Sequence, residues 1–246
     1  MDVHPIAAAG FGSAADAYER GRPEYPSAAT RWLARRVGLG PGVTVVDLAA
    51  GTGKLSRPLA ATGARVIAIE PMEAMRSAIG PGVEAVEGTA EAIPLPEGSA
   101  DLVTVGQAFH WFDGDAALAE VHRVLRAPGS LALLWNVRRM DDPIHTAIED
   151  LIKPHCERLP RHRTVAWRDA FARTQLFGPL HEMHFPHELT LDAAGLAAQV
   201  ASISGIAALP AAERSPILER IRSVAGTGQV KLTYTCEVQV AERVGD

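Results

Sequence analysis

Val43-Thr-Val-Val-Asp-Leu-Ala-Ala-Gly-Thr-Gly53 begins as a β-branched apolar run, meets a carboxylate at Asp47 and passes at once into a glycine turn. The run Val43 to Asp47 reads as a buried strand. Beyond the turn, Leu55, Leu59 and Ala60 share one helical face, and Gly63 ends that helix. A strand, a glycine turn and a helix in this order open a nucleotide-binding α/β unit.

The same alternation continues downstream. Arg65-Val-Ile-Ala-Ile-Glu70 is apolar at nearly every position, as a strand covered on both faces should be, and residues 72 to 79 read as the next helix. Val83 to Glu87 suits a third strand nearer the sheet edge. It leads into the proline-rich loop Ala92 to Gly98, and Asp101 to Val105 makes a fourth strand. A helix with Leu118, Val121 and Leu125 on one face leads through Pro128-Gly129 to a fifth strand, Leu131 to Trp135. Five strands with crossover helices predict an α/β fold with a Rossmann-like doubly wound, mostly parallel sheet.

Later the pattern changes. Residues 143 to 175 read as helical and charged, His181 to Leu189 as a sixth strand, and roughly 192 to 224 as alanine-rich helices. From Gln229 to Val240 the alternation is clean, with Val230, Leu232, Tyr234, Cys236, Val238 and Val240 on one face; this final strand is expected to make an antiparallel edge with the sixth. In front of the core, residues 13 to 20 and 26 to 37 read as two helices split by Arg22-Pro23, placed to cap the cofactor. The chain is read as one domain: a cap over 1–38, a cofactor-binding core over 43–137, a helical substrate side over 138–228 and a last strand over 229–241.

Composition narrows the function. The 246 residues are 47% apolar and 22% charged, with a formal net charge of −5, which suits a folded body and gives no basic face for nucleic acid. Cys156 and Cys236 are too few for a disulfide framework and are not spaced as a metal or redox pair. With no basic leader, and no apolar run of membrane-spanning length, the expectation is a cytoplasmic protein acting on a small molecule, without a membrane or nucleic-acid partner.

The glycine turn lets backbone approach a ligand closely and presents N–H groups at the helix start. Glu70, 19 residues beyond Gly51 at the end of the second strand, is placed to accept hydrogen bonds from both ribose hydroxyls, so the cofactor is of adenosine type. A dinucleotide fingerprint needs a third glycine, and Ser56 stands in its place. Asp47 beside the turn repels a pyrophosphate and tolerates the ammonium group of a methionine tail, which favours S-adenosyl-L-methionine. A purely local role for Asp47, capping the turn through backbone N–H groups, is compatible with either cofactor.

Asp47-Leu-Ala-Ala-Gly-Thr-Gly-Lys-Leu55, Glu70-Pro-Met72, Gly88-Thr-Ala-Glu-Ala-Ile-Pro-Leu-Pro96, Ala108-Phe-His-Trp-Phe112 and Val121-His-Arg-Val-Leu-Arg-Ala-Pro-Gly129 together resemble the class I methyltransferases of the methyltransferase type 11 group. Tyr18-Glu-Arg-Gly-Arg-Pro-Glu-Tyr-Pro26 is similar to the amino-terminal cap of its trans-aconitate-methyltransferase-like branch. The resemblance implies that Asp47, Ala49, Gly51 and Gly53 face the methionine portion, Glu70 the ribose, and Pro71 and Met72 the adenine. It also implies that Thr89, Ala90 and Glu91 contact the adenine ring and that Gln107, Ala108 and Phe109 lie below the sulfonium. Ala49 departs from the family, which usually has glycine there.

Methyl transfer from a sulfonium is an in-line displacement, so alignment and exclusion of water matter most. Where the acceptor must lose a proton, His110, just beyond the fourth strand, is the candidate base; packing beside the cofactor or orienting Trp111 is the competing reading. Trp111 and Phe112 serve either as an apolar wall for the acceptor or as core. Tyr18, Arg22 and Tyr25 are placed to close over cofactor or substrate, Arg22 pairing with a carboxylate of the methionine tail or with a nearby acid of the protein. His181, His184 and His187 do not share one strand face, so no metal is expected. Arg158, Arg161, His162, Arg163 and Arg168 read as a solvated face, with an acidic-substrate patch as the alternative. The function read from the sequence is S-adenosylmethionine-dependent methyl transfer to a small molecule, at oxygen by family frequency. A cofactor-binding regulator and a dinucleotide oxidoreductase are the alternatives.

Overall fold

The computed structural model describes residues 19–157, 159–164 and 167–245; Tyr18, most of the expected 13–20 helix and Arg158 lie outside the described residues. Seven strands form one sheet: β1 (Thr44–Leu48), β2 (Arg65–Ile69), β3 (Glu84–Val86), β4 (Ala100–Gly106), β5 (Leu125–Arg138), β6 (His181–Leu191) and β7 (Val230–Glu242), in the order β3-β2-β1-β4-β5-β7-β6. The pairs among β1 to β5 are parallel. β7 runs antiparallel to both β5 and β6, so the last strand slots between them and leaves β6 on the edge.

Strand alternation sorts the apolar residues into two layers. Val46, Ile67, Val103, Val105 and Leu131 pack under α4 (Gly114–Val124) and α6 (Arg168–Arg173), with Phe109 and Trp167 among them. Val45, Val66, Leu102, Leu134, Cys236 and Val238 pack on the opposite face, under α1 (Ser27–Val37) and α2 (Ser56–Ala60). α3 (Glu73–Arg76) is one turn long, shorter than the helix expected over 72 to 79, because only Met75 finds the core. The expected face of β7 is buried at all six positions from Val230 to Val240.

A third cluster gathers α5 (Pro143–Cys156), α7 (Ala193–Ala201), α8 (Ser204–Ala207) and α9 (Ala211–Ala225) around Leu232 and Tyr234. Asp142 ties this layer to the sheet. One carboxylate oxygen caps α5, accepting from the N–H groups of Ile144 at 2.9 Å and His145 at 3.4 Å, and the other accepts from Thr233 N–H and Oγ1, both at 3.0 Å. The stretch expected to be helical over 143 to 175 breaks into α5, a short turn at His162–Thr164 and α6.

The expected cap divides in two. α1 is a core helix, burying Ala29 and Leu33 completely against the sheet. Among the described residues ahead of α1, the strap of residues 19–26 lies across the carboxyl edge of the strands. Among the described residues no helix is long and apolar enough to cross a membrane.

Candidate active site

The glycine turn is held by two buried carboxylates. Asp47 accepts hydrogen bonds from the Ser56 hydroxyl at 2.5 Å and the Thr104 hydroxyl at 2.8 Å. Burial pushes its pKa up to about 6, against the pull of the two hydroxyls and with a push from Glu70. Among the described residues its partners are these side-chain hydroxyls and not the backbone N–H groups of the turn. Ser56, at the place of a third glycine, is what orients it. Glu70 accepts from Gly51 N–H at 2.9 Å and Met72 N–H at 3.0 Å, and its pKa is raised by burial.

Gly51 and Gly53 have φ of 58° and 81°, and Ala49 and Gln107 also sit in the left-handed region, at 51° and 60°. A Cβ at Ala49 strains such a backbone, the physical reason glycine suits this position. Asp47, Ala49, Ala50, Gly106 and Gln107 line a cavity of about 20 Å³, closed from above by Arg22, Pro23, Tyr25 and Lys54. The strap is pinned there. Glu19 accepts from Thr52 Oγ1 at 2.5 Å and Arg57 at 2.7 Å, and Glu24 pairs with the buried Lys54 at 2.5 Å. A Cβ on Gly106 would meet the Tyr25 hydroxyl, so the bare glycine is what admits the strap onto the end of β4.

A larger cavity of about 180 Å³ adjoins it, and both are lined by Arg22 and Gln107. Its lining includes His110, Trp111, Asn136, Arg138, Arg161, His162 and Arg163, and no acidic residue is among its described lining residues. Glu149 just behind them pairs with Arg161 at 2.9 Å and lies 3.6 Å from Arg138 and 4.0 Å from Arg163. Burial, with Arg22 and Arg163 close by, holds the Arg138 pKa below its ordinary value, while Tyr234 and Glu149 act in the opposite direction. Arg22 donates to the Ser202 carbonyl at 2.9 Å. Glu149 is thus the carboxylate shared by Arg138, Arg161 and Arg163 at this cationic chamber.

A family model described as a methyltransferase domain matches residues 46–133. An uncharacterized methyltransferase of Mycobacterium tuberculosis is 39% identical over 227 residues, covering 88% of this chain and 86% of that protein. The chain belongs to the methyltransferase family. An uncharacterized methyltransferase-like protein of Schizosaccharomyces pombe is 33% identical over 229 residues, covering 88% of this chain and 89% of its own. A solved protein of Anaeromyxobacter dehalogenans, described as a candidate type II methyltransferase, superposes with a TM-score of 0.64 at 26% identity, covering 90% of this chain and 97% of that one. The methyltransferase is accordingly an enzyme of the S-adenosylmethionine-dependent class, with its sheet and its antiparallel last strand.

Within the methyltransferase, the residues singled out from the sequence fall into two groups. Arg22, Tyr25, Asp47, Ala49 and Gln107 meet around the small cavity, and Arg22, Gln107, His110 and Trp111 around the large one. Glu70, Pro71 and Met72 stand at the end of β2; Ala90 is buried, and the Thr89 hydroxyl is buried without a hydrogen-bond partner. Glu91 accepts from Asp113 N–H at 3.1 Å, which turns it toward the start of α4. His110 lines the large cavity with its Nδ1 buried and unpartnered, and its pKa is lowered to about 3 by burial, then by His162, Arg22 and Arg161.

Phe112 packs with the core cluster, its ring 5.6 Å from Phe109. Arg161, half-buried, lines the cavity rather than a solvated face, and Arg163 lines it while staying exposed. His184 bonds Glu182 at 2.6 Å, and with Glu237 these place three ligand-type atoms within 4.8 Å of one another, although Arg168 and Gln239 already occupy Glu182. Lys54, Asn136, Arg138 and Glu237 were not selected as site residues from the sequence, and His162 was read only as part of the basic run. Arg138 carried the one usable signal, a charge closing an apolar strand.

Proposed function

We propose that this methyltransferase transfers a methyl group from S-adenosyl-L-methionine to an oxygen atom of a small anionic metabolite. The observation that carries the proposal is the pair of adjoining cavities that share Arg22 and Gln107: one faces the glycine turn, the other is cationic. Donor and acceptor would meet at Gln107. A chamber of about 180 Å³ suits a small molecule and no polymer, and its excess of guanidinium groups suits a carboxylate or phosphate anchor.

The residues present fit the cofactor. The unpartnered Thr89 hydroxyl and the buried Glu70 carboxylate offer polar groups to the adenosine end, with Pro71, Met72, Ala90 and Glu91 beside them. Asp47, Ala49, Gly51 and Gly53 would take the methionine end, where an ammonium group relieves the mutual repulsion of Asp47 and Glu70. Bound there, the cofactor supplies an electrophilic methyl group. The protein's part is to align the acceptor oxygen with it and keep water out. Because the closed strap leaves only about 20 Å³, entry requires residues 19–26 to swing off Thr52, Lys54 and Arg57.

Neither alternative has a supporting feature. In the dinucleotide reading the third glycine should open the helix, yet Ser56 stands there and its hydroxyl is committed to Asp47. Incubation with methyl-labelled S-adenosylmethionine and a metabolite extract, followed by anion exchange, tests the proposal. Label should appear in the anionic fraction and fall at least tenfold for Arg138→Met with S-adenosylhomocysteine affinity retained. Label confined to neutral or cationic products would overturn the anionic acceptor, and binding without any transfer would favour the regulatory reading.

A further inference from the structure

His162 and Glu237 come from separate parts of the chain, the short turn after α5 and the middle of β7, yet His162 Nε2 lies 3.2 Å from Glu237 Oε2. Both side chains are largely buried, at 18% and 19% exposure. The imidazole is fixed by aromatic neighbours, 4.6 Å from Trp135 and stacked at 24° on Trp167. Its Nε2 is buried 3.2 Å from the Glu237 carboxylate without a well-aligned hydrogen bond to it, and its ring lines the large cavity beside His110 and Trp111. A carboxylate within ion-pairing distance of an imidazole that lines a substrate chamber stabilises the imidazolium once a proton is taken.

We infer that His162, oriented by Glu237, is the general base that deprotonates a hydroxyl group of the acceptor, and that the product is a methyl ether. The inference rests on the methyl-transfer reading above and deepens it. A carboxylate acceptor is already ionised and would leave this pair without work, whereas a hydroxyl oxygen must lose its proton as it attacks. In the step, the hydroxyl proton passes to the His162 imidazole and an oxygen electron pair forms the new bond to the methyl carbon. The pair of the broken carbon–sulfur bond stays on sulfur, leaving a neutral thioether. The guanidinium groups of Arg138, Arg161 and Arg163 then hold the anionic part of the acceptor rather than the reacting oxygen.

His110 serves the chamber differently. Among the described residues no carboxylate pairs with it, its Nδ1 is unpartnered, and it is crowded by His162, Arg22 and Arg161. The charged groups around His162 are Arg161 and Arg163 on its own turn, Arg22 on the strap, His110 after β4, Glu237 on β7, and Glu182 and His184 on β6 with Arg168 across from them. Glu237 is the acid in contact with the ring.

The test uses the full-length enzyme with methyl-labelled S-adenosylmethionine and an anionic metabolite extract. Mild alkali separates the products, releasing labelled methanol from an ester and leaving an ether intact. Alkali-stable label is expected. His162→Gln should lower transfer about a hundredfold and remove the acid limb of the pH–rate profile between pH 5 and 9. Glu237→Gln should lower transfer about tenfold and displace that limb. Both should leave S-adenosylhomocysteine affinity by calorimetry within threefold of wild type, and His110→Gln should leave the limb in place. Alkali-labile label, or a His162→Gln enzyme that retains rate and acid limb, would overturn the inference while leaving methyl transfer intact. Transfer to nothing in the extract would instead remove the methyl-transfer reading, and this one with it.

Discussion

The carboxylate of Glu70 at the end of β2 accepts a hydrogen bond from the backbone N–H of Gly51 at 2.9 Å, so one side chain both holds the glycine turn and presents its remaining lone pairs at the strand edge. Its second oxygen accepts from Met72 N–H at 3.0 Å. Charge-assisted bonds of this kind are each worth about 1.5–3 kcal/mol. Glu70→Ala is expected to lower S-adenosylhomocysteine affinity by at least tenfold in calorimetry and to speed amide exchange at Gly51. Unchanged affinity would remove Glu70 from the cofactor site.

Asp47 gives a pH signature of defined sign. Its folded pKa of about 6 stands above the ordinary aspartate value of 3.8, so the native state holds the proton more tightly and cofactor-free stability falls as pH rises from about 4 to 6. The gap corresponds to about 3 kcal/mol. Asp47→Asn should raise the melting temperature at pH 7 and flatten that part of the curve. In the wild type, S-adenosylhomocysteine should bind more tightly as Asp47 ionises between pH 5 and 7, a trend lost in the variant. Melts and calorimetry across pH read both.

Ala49, at φ 51°, carries a Cβ where the left-handed backbone disfavours one by about 1–2 kcal/mol, partly offset by the extra chain entropy glycine has when unfolded. Ala49→Gly should stabilise the protein by roughly 0.5–1 kcal/mol in urea melts and leave cofactor affinity equal or better. Ala49→Val, with a branched side chain at the same φ and facing the small cavity, should lose both stability and cofactor binding. A destabilised glycine variant would contradict the strain at this turn.

Two buried histidines work against Asp47 on acidification. His110 is lowered to about 3 and His145 to about 4, chiefly by burial, with His145 donating through Nε2 to the Thr233 carbonyl at 3.0 Å. The unfolded chain protonates them near their ordinary value of 6.5, so the stability they contribute is present above that pH and drains away as pH falls through 6.5 toward 4. His145→Gln should reduce the acid-induced loss of stability. Ring signals of both histidines by NMR should show no titration between pH 5.5 and 8.

Much of this molecule was readable residue by residue. The run from Val43 to Gly53, the carboxylate of Glu70 and the six buried positions of β7 are local patterns, and local patterns carry the strand period, the turn and the cofactor-facing edge. α1 was misplaced as part of a cap because an amphipathic helix shows which face is apolar and not which surface will cover it. Arg161 was placed on a solvated face for the same reason. Charge in a sequence shows neither burial nor company, and Glu149, Arg22 and Arg138 supply the company only after α5 and the strap have packed.

The sequence by itself determined the doubly wound sheet, the glycine turn between Asp47 and Glu70 and hence the class of cofactor, because those features are set by neighbours a few residues apart or by strands in regular succession. Only the tertiary structure decided the acceptor side. Arg22, His110, Arg138, His162 and Glu237 lie on five different segments, and their meeting depends on the antiparallel insertion of β7 and the folding of α5 to α8 over its end. No periodicity in the chain encodes such an encounter; it follows from burying one apolar layer against another, and the acceptor's chemistry is written where those layers leave a gap.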